Sequence, residues 1–126
     1  MMTEYMIACP FCSQIVSVEL AVGTPEGEQL EAVRWKCRCT GARKWREMQD
    51  AYAKIESIAG AGAVDNGFDY AESKATVDVL KRAADAVIDG RIRQMDMVAP
   101  GGDKYKITMP KGAVNLKRIA KKELML

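Results

Sequence analysis

Apolar side chains recur at every second position over residues 14–20, which read Gln-Ile-Val-Ser-Val-Glu-Leu. Val16, Val18 and Leu20 share one side of an extended chain, and β-branched residues at a period of two predict a strand. Residues 5–8 form a short extended lead-in to it. Gly23, Pro25 and Gly27 supply turn chemistry afterwards. A second alternation sets Leu30, Ala32 and Arg34 against Glu31, Val33 and Trp35. It predicts a returning strand, and hence a β-hairpin over residues 14–36.

From residue 40 the period lengthens. Trp45, Met48, Tyr52, Ile55 and Ala59 form one stripe of a helix over residues 40–59, capped by Thr40 and stopped by Gly60-Ala61-Gly62. Asp69 and Glu72 have capping-box spacing, so a second helix is expected over residues 69–90. Val77, Leu80, Ala84 and Val87 form its apolar face. Ala71, Ala75 and Ala84 permit a close approach, either to a neighbouring helix or to a second copy in a homodimer.

Residues 91–98 read as extended, Pro100-Gly101-Gly102-Asp103 as a turn, and residues 104–109 as a strand. Tyr105, Ile107 and Met109 alternate there with Lys104, Lys106 and Thr108, which completes a second hairpin. Residues 113–124 fit an amphipathic helix with Leu116, Ile119, Ala120 and Leu124 on one side. Lys117, Arg118, Lys121 and Lys122 fall on the other. A strand continuing the second hairpin is the competing reading. The expected fold class is α+β: an N-terminal hairpin, two central helices, a C-terminal hairpin and a basic helix. Residues 1–59 and 60–126 are the two parts, expected to form one compact unit.

A length of 126 residues suits this organisation, and 48% hydrophobic with 29% charged residues exclude a disordered chain. Aromatics are only 6%, so a core must rest on Ala, Val, Ile, Leu and Met. No run approaches the roughly 20 apolar residues of a membrane span. Residues 1–8 lack the features of a signal peptide, so a cytoplasmic protein is expected. The net charge of +2 selects no partner, but its distribution is uneven. Residues 60–90 hold three basic and six acidic residues, and residues 91–126 hold nine and three. The basic block either pairs with the acidic one inside the fold or forms a footprint for nucleic acid or an acidic protein.

The chain has four cysteines and no histidine. The missing histidine removes Ser-His-Asp and Cys-His catalysis and every His-ligated metal site. Cys9 and Cys12 form a C-x-x-C pair, Cys37 and Cys39 a C-x-C pair, and 24 residues separate the pairs. In a reducing compartment such pairs read as metal ligands before disulfides. Zinc takes four tetrahedral ligands, and a hairpin between the pairs would return the second to the first. Four thiolates exceed the charge of the ion, so amides or cations must offset them, and Lys36, Arg38, Arg43 and Lys44 are near in sequence. Disulfides are disfavoured by compartment, and an iron–sulfur cluster by the C-x-C spacing. Glutaredoxin-like redox chemistry, suggested by Cys9-Pro10-Phe11-Cys12, needs a helix where residues 14–20 read as strand. One structural Zn2+ on Cys9, Cys12, Cys37 and Cys39 is the expectation. A closed four-thiolate site has no open position for water or substrate.

The Cys9-Pro10-Phe11-Cys12 knuckle and the hairpin resemble zinc ribbons and treble clefs. Cys39 runs directly into the predicted helix at Thr40, which makes the treble clef the closer of the two. The match covers residues 5–58. Ser13 stands where the usual knuckle has Gly, and the second pair is C-x-C rather than C-x-x-C. In size and layout the chain is also similar to small zinc-ribbon proteins of bacterial phages and mobile elements. That resemblance implies no functional residue beyond the cysteines.

Arg38, Arg43, Lys44 and Arg46 cluster with Trp35 and Trp45 around the second cysteine pair. Such a mixture binds nucleic acid through phosphates and stacking, or else the tryptophans pack while the cations serve the thiolates. Lys117, Arg118, Lys121 and Lys122 offer a second basic face. It has no Trp or Phe to enter a membrane. Met95, Met97, Met109 and Met125 read as adaptable core. Gly60-Ala61-Gly62-Ala63 lacks the Lys-Ser/Thr of a P-loop, and Asp65 and Asp69 have no base beside them. The expected function is that of a non-enzymatic, zinc-stabilised protein acting on nucleic acid or a nucleoprotein. The alternative is a phage or mobile-element adaptor or inhibitor that binds a host protein, such as a defence nuclease, without touching nucleic acid.

Overall fold

The strand expected over residues 14–20 forms, but its partner lies upstream rather than downstream. The computed structural model of the chain describes residues 1–110 and 112–120. Strand β1 (Met2–Ala8) pairs antiparallel with β2 (Ile15–Ala21), from Met2 opposite Ala21 to Ala8 opposite Ile15. Thr3, Tyr5 and Ile7 alternate with exposed neighbours, as a half-buried strand requires. The residues expected to return as a strand instead form helix α1 (Glu26–Lys36). Glu, Gln, Leu and Ala favour the helix, and only Val33 in this stretch is β-branched. Glu26 and Glu28 occupy the first turn and Arg34 and Lys36 the last, which complements the helix dipole.

Helix α2 (Thr40–Ile58) agrees with the expected stripe. The chain divides into two compact units, Met1–Arg46 and Glu47–Leu126, so its first turns belong to one unit and the remainder to the other. In the first unit, α1 packs on the β1–β2 hairpin. The buried cluster there is Cys9, Val18, Val33, Cys37 and Ala42.

The second unit adds helix α3 (Lys74–Ile88) and strands β3 (Gln94–Val98), β4 (Lys104–Thr108) and β5 (Asn115–Ile119). The three strands form one antiparallel sheet in that order. Helix α3 starts later than expected: the Ser73 hydroxyl, not Asp69, accepts the Thr76 amide and caps it. Gly90, with φ of 75°, ends it in the left-handed conformation. Ile55, Leu80, Ala84, Tyr105 and Ile107 are fully buried in the core, with Met48, Met95, Met97 and Met109 partly buried against it. Across α2 and α3, Tyr52 donates to Asp85 at 2.6 Å and Lys81 pairs with Glu56 at 2.9 Å.

The helix expected over residues 113–124 is a correction: Asn115–Ile119 is a strand. A third strand against β4 leaves Val114 buried and Leu116 half-buried against the core, and a sheet gains independent stability at about three strands. The change of period also turns Arg118 inward. Residues 121–126, including Met125, expected in the core, lie outside the described residues. No described helix is long and apolar enough to cross a membrane.

Candidate metal centre

The turn between β1 and β2 carries the first cysteine pair. The Cys9 amide donates to the Gln14 carbonyl at 2.8 Å, and the Ser13 amide to the Cys9 carbonyl at 2.9 Å. These bonds curl the chain so that Cys9 and Cys12 face the same point. Ser13 pays a conformational cost for that curl: its φ is 66°, the only positive value at a non-glycine among the described residues.

The second pair lies between α1 and α2. The Cys37 amide caps α1 through the Val33 carbonyl at 2.8 Å, and Cys39 immediately precedes α2. The Cys39 sulfur accepts the Ala42 amide at 3.3 Å, so it occupies the capping position of that helix. Arg46 Nη1 donates to the carbonyls of Cys37 and Arg34, the latter at 2.9 Å, and fixes the loop from behind. Gly41 lets the knuckle approach the helix: a Cβ there would stand 2.7 Å from Phe11 Cβ.

The four sulfurs lie within 4.8 Å of one another, at metal-binding distance. Cys9 and Cys39 are separated by 3.8 Å and Cys12 and Cys37 by 3.6 Å. A disulfide would bring two sulfurs to about 2.05 Å, and all four cysteines are free. Thiolates at about 2.3 Å from a tetrahedral zinc ion have sulfur–sulfur edges of about 3.8 Å. The donor set therefore fits a single tetrahedral ion. Cys9 and Cys37 are buried, and Cys12 and Cys39 half-buried.

Burial disfavours the Cys9 thiolate, but the amides of Phe11 and Cys12 and the neighbouring Cys37 and Cys12 thiols bring its pKa down to about 7. At Cys12 the Gln14 amide favours the thiolate, yet burial and the Cys37, Cys9 and Cys39 sulfurs push the pKa up to about 12. Sulfurs this close titrate as a set, and ionising all of them requires a cation among them. Backbone amides serve the sulfurs directly. They carry no side-chain signature, so sequence alone does not identify Phe11, Cys12, Gln14 and Ala42 as donors. Lys36, expected beside the thiolates, instead donates to the Ser17 carbonyl.

The basic residues singled out as partner-binding separate into groups. Arg38, Arg43 and Lys44 are exposed, whereas Arg46 is half-buried on the Cys37 loop. Trp35 is 47% exposed and meets Trp45 edge-on at 5.3 Å, with Arg34 lying 5.6 Å over the Trp45 ring. Lys117 is exposed on β5. Arg118 is buried: Nε and Nη2 reach Asp103 Oδ2 at 2.8 and 2.7 Å, and Nη1 reaches the Ile58 carbonyl at 2.7 Å. Phe68 and Tyr70 rings stand 4.5 and 4.9 Å from its guanidinium. Lys121 and Lys122 lie outside the described residues. Strand periodicity from Val114 is the signal that places Arg118 inside.

No family model, curated protein or solved structure matches the chain. The likeness to zinc ribbons and treble clefs therefore rests on the cysteine arrangement alone.

Proposed function

We propose that Cys9, Cys12, Cys37 and Cys39 hold one structural Zn2+ in a treble-clef-like module, and that the chain is a non-enzymatic binding protein for nucleic acid or a nucleoprotein. The observation that carries the metal reading is the match between the sulfur separations and the edges of a zinc–thiolate tetrahedron. Four thiolates fill the coordination sphere, so the ion would support folding rather than activate water. The partner reading is supported by exposed Arg38 and Arg43 and by the exposed Trp35 ring in the same unit. Guanidinium groups contact phosphates, and an indole face stacks on bases.

A specific feature favours the second reading, an adaptor or inhibitor that binds protein. Met2, Met6 and Ile15 are all about 60% exposed on the outer face of the β1–β2 hairpin. Flexible methionines on such a face suit a protein surface.

Metal analysis of the purified protein tests the first part, with one zinc per chain expected; iron with visible absorbance, or no metal, would refute it. Gel shifts with duplex and single-stranded nucleic acid test the second. Binding should weaken on Arg38→Ala with Arg43→Ala, and no shift at micromolar protein in low salt would leave the adaptor reading in its place.

A further inference from the structure

The outer face of the second unit's sheet carries a charge pattern that its own fold does not neutralise. The inner face packs into the core through Tyr105 and Ile107. On the outer face, register places Lys106 directly opposite Lys117, and Lys104 opposite Ile119. Lys104, Lys106 and Lys117 are all exposed, and none forms an ion pair among the described residues. The carboxylate on this face, Asp96, sits opposite Lys106 and accepts a 2.9 Å hydrogen bond from Gln94. Like charges directly across a strand pair destabilise a sheet. Keeping Lys106 against Lys117 therefore works against folding in the free protein and becomes favourable when an anion bridges the two.

The same face has a shape to match. Val98 and Ile119 are 64% and 53% exposed, and with Lys104, Lys106 and the Asp96 carboxylate they border a shallow depression of about 330 Å³. At the other end, Thr108 lies between Gln94 and Asn115 and continues the face with neutral hydrogen-bonding groups. We infer that this sheet face binds the phosphate backbone of a nucleic acid, with Lys104, Lys106 and Lys117 on successive phosphates and the Val98–Ile119 depression receiving a sugar or base. Amide and hydroxyl side chains also contact phosphate and sugar. A lipid surface would instead call for aromatic anchors, which this face lacks. The inference shares its class of partner with the function proposed above but uses a different surface, in a different unit.

The test compares wild type, Lys104→Ala with Lys106→Ala and Lys117→Ala, and Arg38→Ala with Arg43→Ala. Binding to a labelled duplex and a single-stranded oligonucleotide is measured from 50 to 200 mM salt. Three phosphate contacts contribute about 2 to 3 to the slope of log affinity against log salt. The lysine triple variant should lose that much slope and bind at least about tenfold more weakly at 50 mM salt. Its melting temperature without nucleic acid should equal or exceed that of wild type, because the Lys106–Lys117 repulsion is gone. Unchanged binding and slope in the triple variant would overturn the inference; if the arginine variant then loses binding, the surface beside the cysteines stands by itself. Loss by the triple variant with the arginine variant unaffected supports the sheet face and removes the other surface. Lysine-dependent binding to phosphatidylserine vesicles, with nucleic-acid binding unchanged, overturns it in favour of a membrane.

Discussion

Ser13 holds a left-handed backbone that a glycine would adopt without steric cost. Ser13→Gly should therefore stabilise the cysteine knuckle by about 0.5–1 kcal/mol, the penalty for a left-handed L-residue less the extra chain entropy of glycine. Thermal melting of the metal-loaded protein would register it, and a lower melting temperature would contradict it. Tyr52 offers a test by pH. Burial, and then its hydrogen bond to Asp85, push the phenol up to about 12, against an ordinary value near 10. The unfolded chain loses this proton first as pH rises. The stabilisation is thus complete below about pH 10 and disappears as pH climbs through about 12. Tyr52→Phe should cost about 1–2 kcal/mol at neutral pH and flatten that part of the stability profile, as read by urea unfolding. At this scale the four clustered cysteines are legible in sequence because their spacing is itself the signal. Arg46 and Arg118 are not, since a positive charge does not announce whether it faces solvent or a carbonyl.

Among the elements, α2 and β4 could be read from the chain because their apolar residues keep one period throughout. Helix α1 could not: its few apolar residues scatter around the helix, and Leu30, Ala32 and Arg34 imitate a strand by chance. Strand β5 is five residues long, too short for a period of two to be told from one of 3.6. Its inward Arg118 makes it sensitive to substitution. Arg118→Met should destabilise the second unit by about 3–5 kcal/mol, because the buried Asp103 carboxylate would lose the guanidinium that faces it. Adding Asp103→Asn should recover part of that loss. Denaturant melts of the three proteins decide it, and a single variant as stable as wild type would show that the pair contributes nothing.

At the scale of the whole molecule, the two units differ in what holds them. The described buried cluster of Met1–Arg46 includes Cys9 and Cys37, with Val18 and Val33 its largest aliphatic residues. A module of this size seldom folds on hydrophobic burial alone. The second unit buries Ile55, Leu80, Val87, Tyr105 and Ile107, among others. Chelation should therefore unfold the first unit and leave the second folded. Hydrogen exchange should then become fast in β1, β2 and α1 while amides of α3 and β4 stay protected. Simultaneous loss of protection in both units would show that the metal supports the whole chain.

The contacts of Arg118 also carry an expectation about the order in which the second unit forms. A ribosome delivers the chain from its N-terminus, so Ile58, Phe68, Tyr70 and Asp103 are all synthesised before the cation that touches each of them. Until β5 arrives, closing the unit would bury the Asp103 carboxylate without the Arg118 guanidinium, which is unfavourable. Pairing of β5 is therefore expected to be the step that completes the second unit, because it is what brings the Arg118 guanidinium to Asp103.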